Sequence, residues 1–179
     1  ASVLVGDFVY SRAFQMMVVA GNMRILEVLA EATNVIAEGE VLQLMNCRNP
    51  DIDEAGYLQV IRCKTAKLFE ASTRLAAILA GSSPEVEAAC ADYGQALGTA
   101  FQVIDDVLDV TADAATLGKT AGKDAANDKP TYVSLLGLEA SQQHARELLD
   151  QALQALQRSG LSNTQLLADL AQQVVARHH

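Results

Sequence analysis

Aromatic side chains are scarce, at 4% of the chain, and tryptophan is absent. Proline occurs only three times, whereas Ala, Leu and Gln are plentiful. That mix disfavours sheet and favours helices. The three cysteines, Cys47, Cys63 and Cys90, are odd in number, widely spaced and form no CxxC pair. That argues against a zinc site or a disulfide framework, and reduced thiols in a cytoplasmic protein are expected. His144, His178 and His179 share no ligand spacing with them. No apolar run approaches the roughly 20 residues of a membrane span, so none is expected. Asp7 and Arg12 interrupt the first apolar stretch, which argues against a secretory signal. The chain opens on Ala1 rather than Met, which implies a start within a gene or after processing. A net charge of -9 argues against nucleic acid or an anionic membrane as partner. It does not exclude phosphate ligands, because a few placed lysines and divalent cations reverse a local field.

What remains suits one domain over residues 1–179, long enough to bury a core. Ser2 to about Ala20 is mostly apolar and reads as a largely buried helix. Gly21-Asn22 breaks it, and from Met23 to Met45 apolar residues recur at helical spacing (Ile25, Leu26, Leu29, Val35, Ile36). Asn46 to Pro50 reads as a turn. Asp53 is placed to cap a helix running to about Ala80. Ser83 and Pro84 then read as the N-cap and first residue of a long helix through Val110, with Leu97, Phe101, Ile104 and Leu108 along one side. Asp113 to Lys129 lacks an apolar period and reads as a loop with one short helical piece. Pro130 opens a short helix through Leu138, and amphipathic helices over 139–157 and 164–177 close the chain. There is no strand signal and no short repeat, so the fold class is all-α, a helical bundle.

Three clusters carry candidate chemistry. Asp105 and Asp109 are i and i+4 on one helix face, Asp106 lies three before Asp109, and Gln102 sits one turn earlier, all amid apolar neighbours. Like charges at that spacing cost about half a kcal/mol in a bare helix. Such a cluster suits Mg²⁺, which takes one or two carboxylates, keeps waters and accepts phosphate oxygens. Spacing alone leaves a solvated acidic face equally open. Lys64 and Lys67, one turn apart beside Thr65, suit a diphosphate or are snorkelling surface lysines. In Leu117-Gly118-Lys119-Thr120-Ala121-Gly122-Lys123-Asp124 and Asn127-Asp128-Lys129-Pro130, glycines expose backbone amides, and Lys119 and Lys129 add charge. The first Gly of a Walker A motif is missing and no strand precedes it, so that stretch alone is an ordinary loop.

Taken in order, the three resemble one family. GTAFQVIDDVLDV (98–110) followed by LGKTAGKDAANDKPTY (117–132) is similar to the second aspartate-rich motif and lysine loop of trans-prenyl diphosphate synthases, and KTAKLFEA (64–71) to their Lys-Thr segment. Through residue 109, ASVLVGDFVYSRAFQMM, NVIAEGEVLQLMN and the Lys-Thr helix resemble bacterial octaprenyl diphosphate synthases; from 110 onward the wording resembles bacterial farnesyl diphosphate synthases, as in a natural or man-made mosaic.

The resemblance implies an isoprenoid-synthase-type bundle without its amino-terminal helices. It implies condensation of an allylic diphosphate with isopentenyl diphosphate. Metal would go to Asp105, Asp106 and Asp109, with Mg²⁺ as cofactor. Lys64, Thr65, Gln102, Lys119 and Lys129 would face the allylic diphosphate, the first four acting on its developing charge. A homodimer is also implied. The family's first aspartate-rich motif does not occur in the sequence, whose only Asp-Asp pair is 105–106, so half a site is expected. Two further readings stay open: a non-catalytic helical subunit or fragment that only dimerises, and a terpene cyclase, whose second metal motif is more typically of Asn/Ser/Glu type.

Overall fold

A computed structural model describes residues 1–47, 49, 51–111 and 130–177. Every regular element among them is helical. Helices α1 (Ser2–Val19) and α2 (Met23–Asn46) come first. Then α3 (Glu54–Ile61) runs through one π-helical turn (Arg62–Ala66) into α4 (Lys67–Leu79). The 28-residue α5 (Pro84–Thr111) follows. The chain ends in α6 (Tyr132–Leu136), α7 (Leu138–Ser159) and α8 (Gln165–Ala176).

The start signals act as read. The Asp53 carboxylate accepts from Gly56 N at 2.8 Å, and Asn22 caps α2 by accepting from Arg24 N at 2.9 Å. Pro84 is the first residue of α5, with Val86 N reaching Ser83 Oγ at 3.4 Å. The helix expected from Pro130 begins later and ends sooner. Thr131 closes a capping box with Ser134, and Gly137, at φ +86°, separates α6 from α7. The expected turn at 46–50 lies partly outside the described residues, and the loop at 113–129 wholly so.

α5 is the axis of the bundle. Leu97, Ile104 and Leu108 on its expected apolar side are buried, and half-buried Phe101 sets its ring 5.6 Å from that of Phe69 on α4. One core joins Tyr57 and Ile61 of α3 to Val103, Ile104 and Leu108 of α5, Tyr132 of α6 and Leu148 of α7. A second joins Tyr93, Ala96 and Leu97 to Ala152, Ala155 and Leu156 of α7 and Ala171 of α8. Alanines on both helices let α5 and α7 approach closely. Each fully buried Leu or Ile contributes about 1.5–3 kcal/mol. Glu87, 8% exposed, ties α2 to α4: Arg24 reaches it at 2.8 Å and Arg74 at 2.7 Å.

Helix α1 corrects the expectation of burial. Only Met17 is buried, while Val5, Phe8 and Val9 are 60%, 69% and 59% exposed. The helix is mostly apolar without a single apolar face, and within the described chain it packs against α2. Hydrophobicity set its character without supplying a cover.

Candidate functional site

The Lys-Thr segment does not continue a regular helix as its sequence suggests; it is the π turn. Such turns put one extra residue into the helix and turn its side chains off register, often at functional sites. Two glycines hold this one in place. A Cβ on Gly39 of α2 would lie 2.7 Å from Lys64 N, and one on Gly98 of α5 would lie 2.6 Å from Ala66 Cα. The turn is thus pressed between α2 and α5, with room for neither side chain.

From this turn a polar line runs to the aspartates. Thr65 Oγ1 donates to Gln102 Oε1 at 3.2 Å, and Gln102 Nε2 donates to Asp106 Oδ1 at 3.1 Å. Asp106 is 2% exposed. Its other oxygen accepts from the Tyr57 hydroxyl and, at 2.8 Å, from Tyr132 N. The Tyr132 hydroxyl donates in turn to Glu54, and its ring stacks on His144 with centroids 5.0 Å apart. Burial, with Glu54 beside it, holds the Tyr132 phenol well above the ordinary range.

Asp105 lies outside this network. It is exposed, and its Oδ1 meets the Arg177 guanidinium at 3.0 Å. Asp109, one turn on, is half-buried. Lys64 faces α2, with Nζ 3.0 Å from the Glu40 carboxylate and 2.6 Å from Gln43 Oε1. Lys67 lies 3.1 Å from both Glu31 and Glu70. Burial is the largest single influence and acts to lower its pKa, but the hydrogen bonds to Glu31 and Glu70 and their negative charges together outweigh it, and the net shift is upward. Lys119 and Lys129 lie outside the described residues.

The structure therefore brings Thr65, Gln102 and Asp106 into one line, and sets Asp105 and Asp109 on the outer turns of the same helix. Among the described residues no three acidic, His or Cys side chains converge on one point. The donor set fits a magnesium ion that keeps most of its waters, since two carboxylates suffice for one. Asp105, exposed and one turn from Asp109, offers that pair.

Sequence reasoning did not reach Tyr57, Glu54, Tyr132 or Arg177. No spacing pattern links residues 49 or 72 positions apart in the chain.

Residues 1–170 match the polyprenyl synthetase family. The chain belongs to that family. This polyprenyl synthetase chain is 50% identical over 173 residues to the octaprenyl diphosphate synthase of Escherichia coli, covering 89% of the chain and 54% of that protein. That likeness therefore runs across residue 110. An all-trans-nonaprenyl-diphosphate synthase of Rhodobacter capsulatus is 45% identical over 152 residues, 85% of this chain and 46% of that one. Among solved structures, a polyprenyl synthase from Caulobacter crescentus, complexed with calcium and isoprenyl diphosphate, superposes with a TM-score of 0.90 at 35% identity, over 99% of this chain and 66% of that one. A decaprenyl diphosphate synthase from Rhodobacter capsulatus superposes at 0.86 with 38% identity, over 99% and 67%. The all-α isoprenyl-synthase bundle is thus the fold. The chain spans about half the length of the curated relatives it matches.

Proposed function

We propose that residues 1–179 form one domain carrying the second-motif half of a prenyltransferase site, which acts in condensing an allylic diphosphate with isopentenyl diphosphate. The observation that carries this reading is the line from Thr65 through Gln102 to buried Asp106, with Asp105 exposed beside it. In that reaction the allylic C–O bond breaks and diphosphate leaves. A C–C bond to isopentenyl diphosphate forms, and one proton is lost. No side-chain nucleophile is required; charge placement is the chain's contribution.

Asp105 and Asp109 are the carboxylates best disposed to hold Mg²⁺. Asp106, the second aspartate of the motif and expected with them as a metal ligand, is buried among Tyr57, Gln102 and Tyr132 N and anchors the helix that presents them. Bound magnesium would supply positive charge to the departing diphosphate. Thr65 and Gln102 align the polar edge facing that diphosphate. Lys64, drawn off by Glu40 in this structure, would supply charge on exchanging that carboxylate for phosphate, and Lys119 and Lys129 by their place in the motif. The divalent-metal reading is also supported by the Caulobacter crescentus relative, complexed with calcium and isoprenyl diphosphate.

The partner is a second copy of the chain. The uncovered apolar surface of α1, with Val5, Phe8 and Val9 outward, supports a homodimer. Free Cys47, Cys63 and Cys90 support a cytoplasmic setting. Among the described residues no helix is long and apolar enough to cross a membrane.

The test is magnesium-dependent binding of inorganic diphosphate by the 179-residue chain, followed by radiolabelled prenyl transfer. Saturable binding that weakens at least tenfold in Asp105→Ala is expected, with little or no elongation until the complementary half is added. Binding that ignores Asp105→Ala would refute the site. Robust elongation by the chain alone would refute the half-site assignment.

A further inference from the structure

The metal reading leaves one contact unused. Arg177, just beyond the end of α8, reaches back 72 positions to Asp105 Oδ1 at 3.0 Å. The same NH2 donates to Phe101 O at 2.8 Å, and the guanidinium carbon stands 4.1 Å over the Phe101 ring. Three contacts thus hold one cation beside the first aspartate of the motif. Its Nε is buried with no hydrogen-bond partner, so the guanidinium is positioned for Asp105 and Phe101 and not for its own full satisfaction.

We propose that Arg177 is a positioning residue that stands in for the divalent cation: it neutralises and orients Asp105 in the metal-free chain, and is exchanged when metal binds. This rests on Asp105 being a metal ligand. The guanidinium engages Asp105 Oδ1, and a divalent ion brought onto the same carboxylate places two cations within a few ångströms, where they repel. Metal binding must therefore loosen the Arg177 contact, and by reciprocity the contact must weaken metal binding by the same factor. Space for the exchange exists. Arg177 borders a cavity of about 730 Å³ whose rim carries Gln142, Gln172 and Thr111, acceptors for a displaced guanidinium. Arg146 shares that rim, so the displaced position is the less favourable one and Arg177 returns once metal leaves.

The size of the effect follows from the exposure of the pair, 23% for Arg177 and 47% for Asp105. An ion pair of this kind is worth up to about 1 kcal/mol, or about fivefold in a binding constant.

Mn²⁺ binding followed by electron paramagnetic resonance, without substrate, reads this directly, with circular dichroism confirming the fold of each variant. Arg177→Gln should bind Mn²⁺ about fivefold more tightly, and Arg177→Lys should fall between it and the parent. Asp105→Asn should bind it at least tenfold more weakly. If Asp105→Asn weakens binding while Arg177→Gln leaves it unchanged or also weakens it, the exchange is wrong and the metal site stands. If Asp105→Asn has no effect, the metal site itself is wrong and the exchange falls with it. A merely structural arginine would lower stability in Arg177→Gln without tightening metal.

Discussion

Replacing Gly98 by Ala tests whether the π turn is held by close packing. An added Cβ would stand 2.6 Å from Ala66 Cα and 3.0 Å from Phe69 Cβ, where ordinary contact begins at 3.4 Å. About 0.8 Å of separation must therefore be found, and the nearest atom is backbone, so no side-chain rotation supplies it. Overpacking of this kind costs about 1–3 kcal/mol, and alanine's better helix propensity returns up to about 1 kcal/mol. With a backbone atom as the nearest neighbour the cost lies in the upper part of that range, about 2–3 kcal/mol, and the net expectation is a loss of about 1–2 kcal/mol, which lowers the urea midpoint by about 0.5–1 M for an m-value near 2 kcal/mol/M. The displaced turn also carries Thr65 away from its 3.2 Å contact with Gln102. Magnesium-dependent diphosphate affinity should therefore fall along with stability. Gly6→Ala is the control, since nothing lies within 4 Å of its added Cβ, and it should be neutral or slightly stabilising. A Gly98→Ala chain with an unchanged midpoint and unchanged affinity would refute the reasoning.

Three other outcomes follow from the same contacts. Asp106→Ala strips the acceptor from Tyr57, Gln102 and Tyr132 N and should cost about 3 kcal/mol by urea unfolding, while exposed Asp105→Ala should cost under about 1 kcal/mol; equal losses would contradict the division between anchor and exposed carboxylate. Glu87→Ala leaves Arg24 and Arg74 without their shared carboxylate and should cost about 2 kcal/mol, read as a Tm lowered by about 4–8 °C. Burial pushes the Tyr93 phenol from 10.0 up to about 12, so between those values the folded chain holds a proton the unfolded chain has lost. Stability should then be untouched by this group below pH 10 and fall by about 1–2 kcal/mol across that window, a loss that Tyr93→Phe should remove.

Most of the helical frame is legible in the sequence, because its signals are local. Asp53, Ser83 and Pro84 mark starts through bonds and geometry within one turn. The spacing of Leu97, Ile104 and Leu108 marks the buried side of α5 without reference to any partner. Legibility ends where the cause is distant. The π turn exists where two glycine-bearing helices close on it, and neither Gly39 nor Gly98 announces which segment it will meet. Asp106 looks equivalent to Asp105 in a run of aspartates, yet one is enclosed by two tyrosines from other helices and the other faces out. Apolar α1 reads as interior because hydrophobicity specifies a preference for cover, not what provides it.

The hydrogen bond from Tyr132 N to Asp106 joins positions on either side of the stretch from 112 to 129, and α7 lies along most of α5 beyond it. These contacts are made by residues of the two flanks themselves. The chain severed between Thr111 and Pro130 should reassemble from separately produced pieces, as a split protein does.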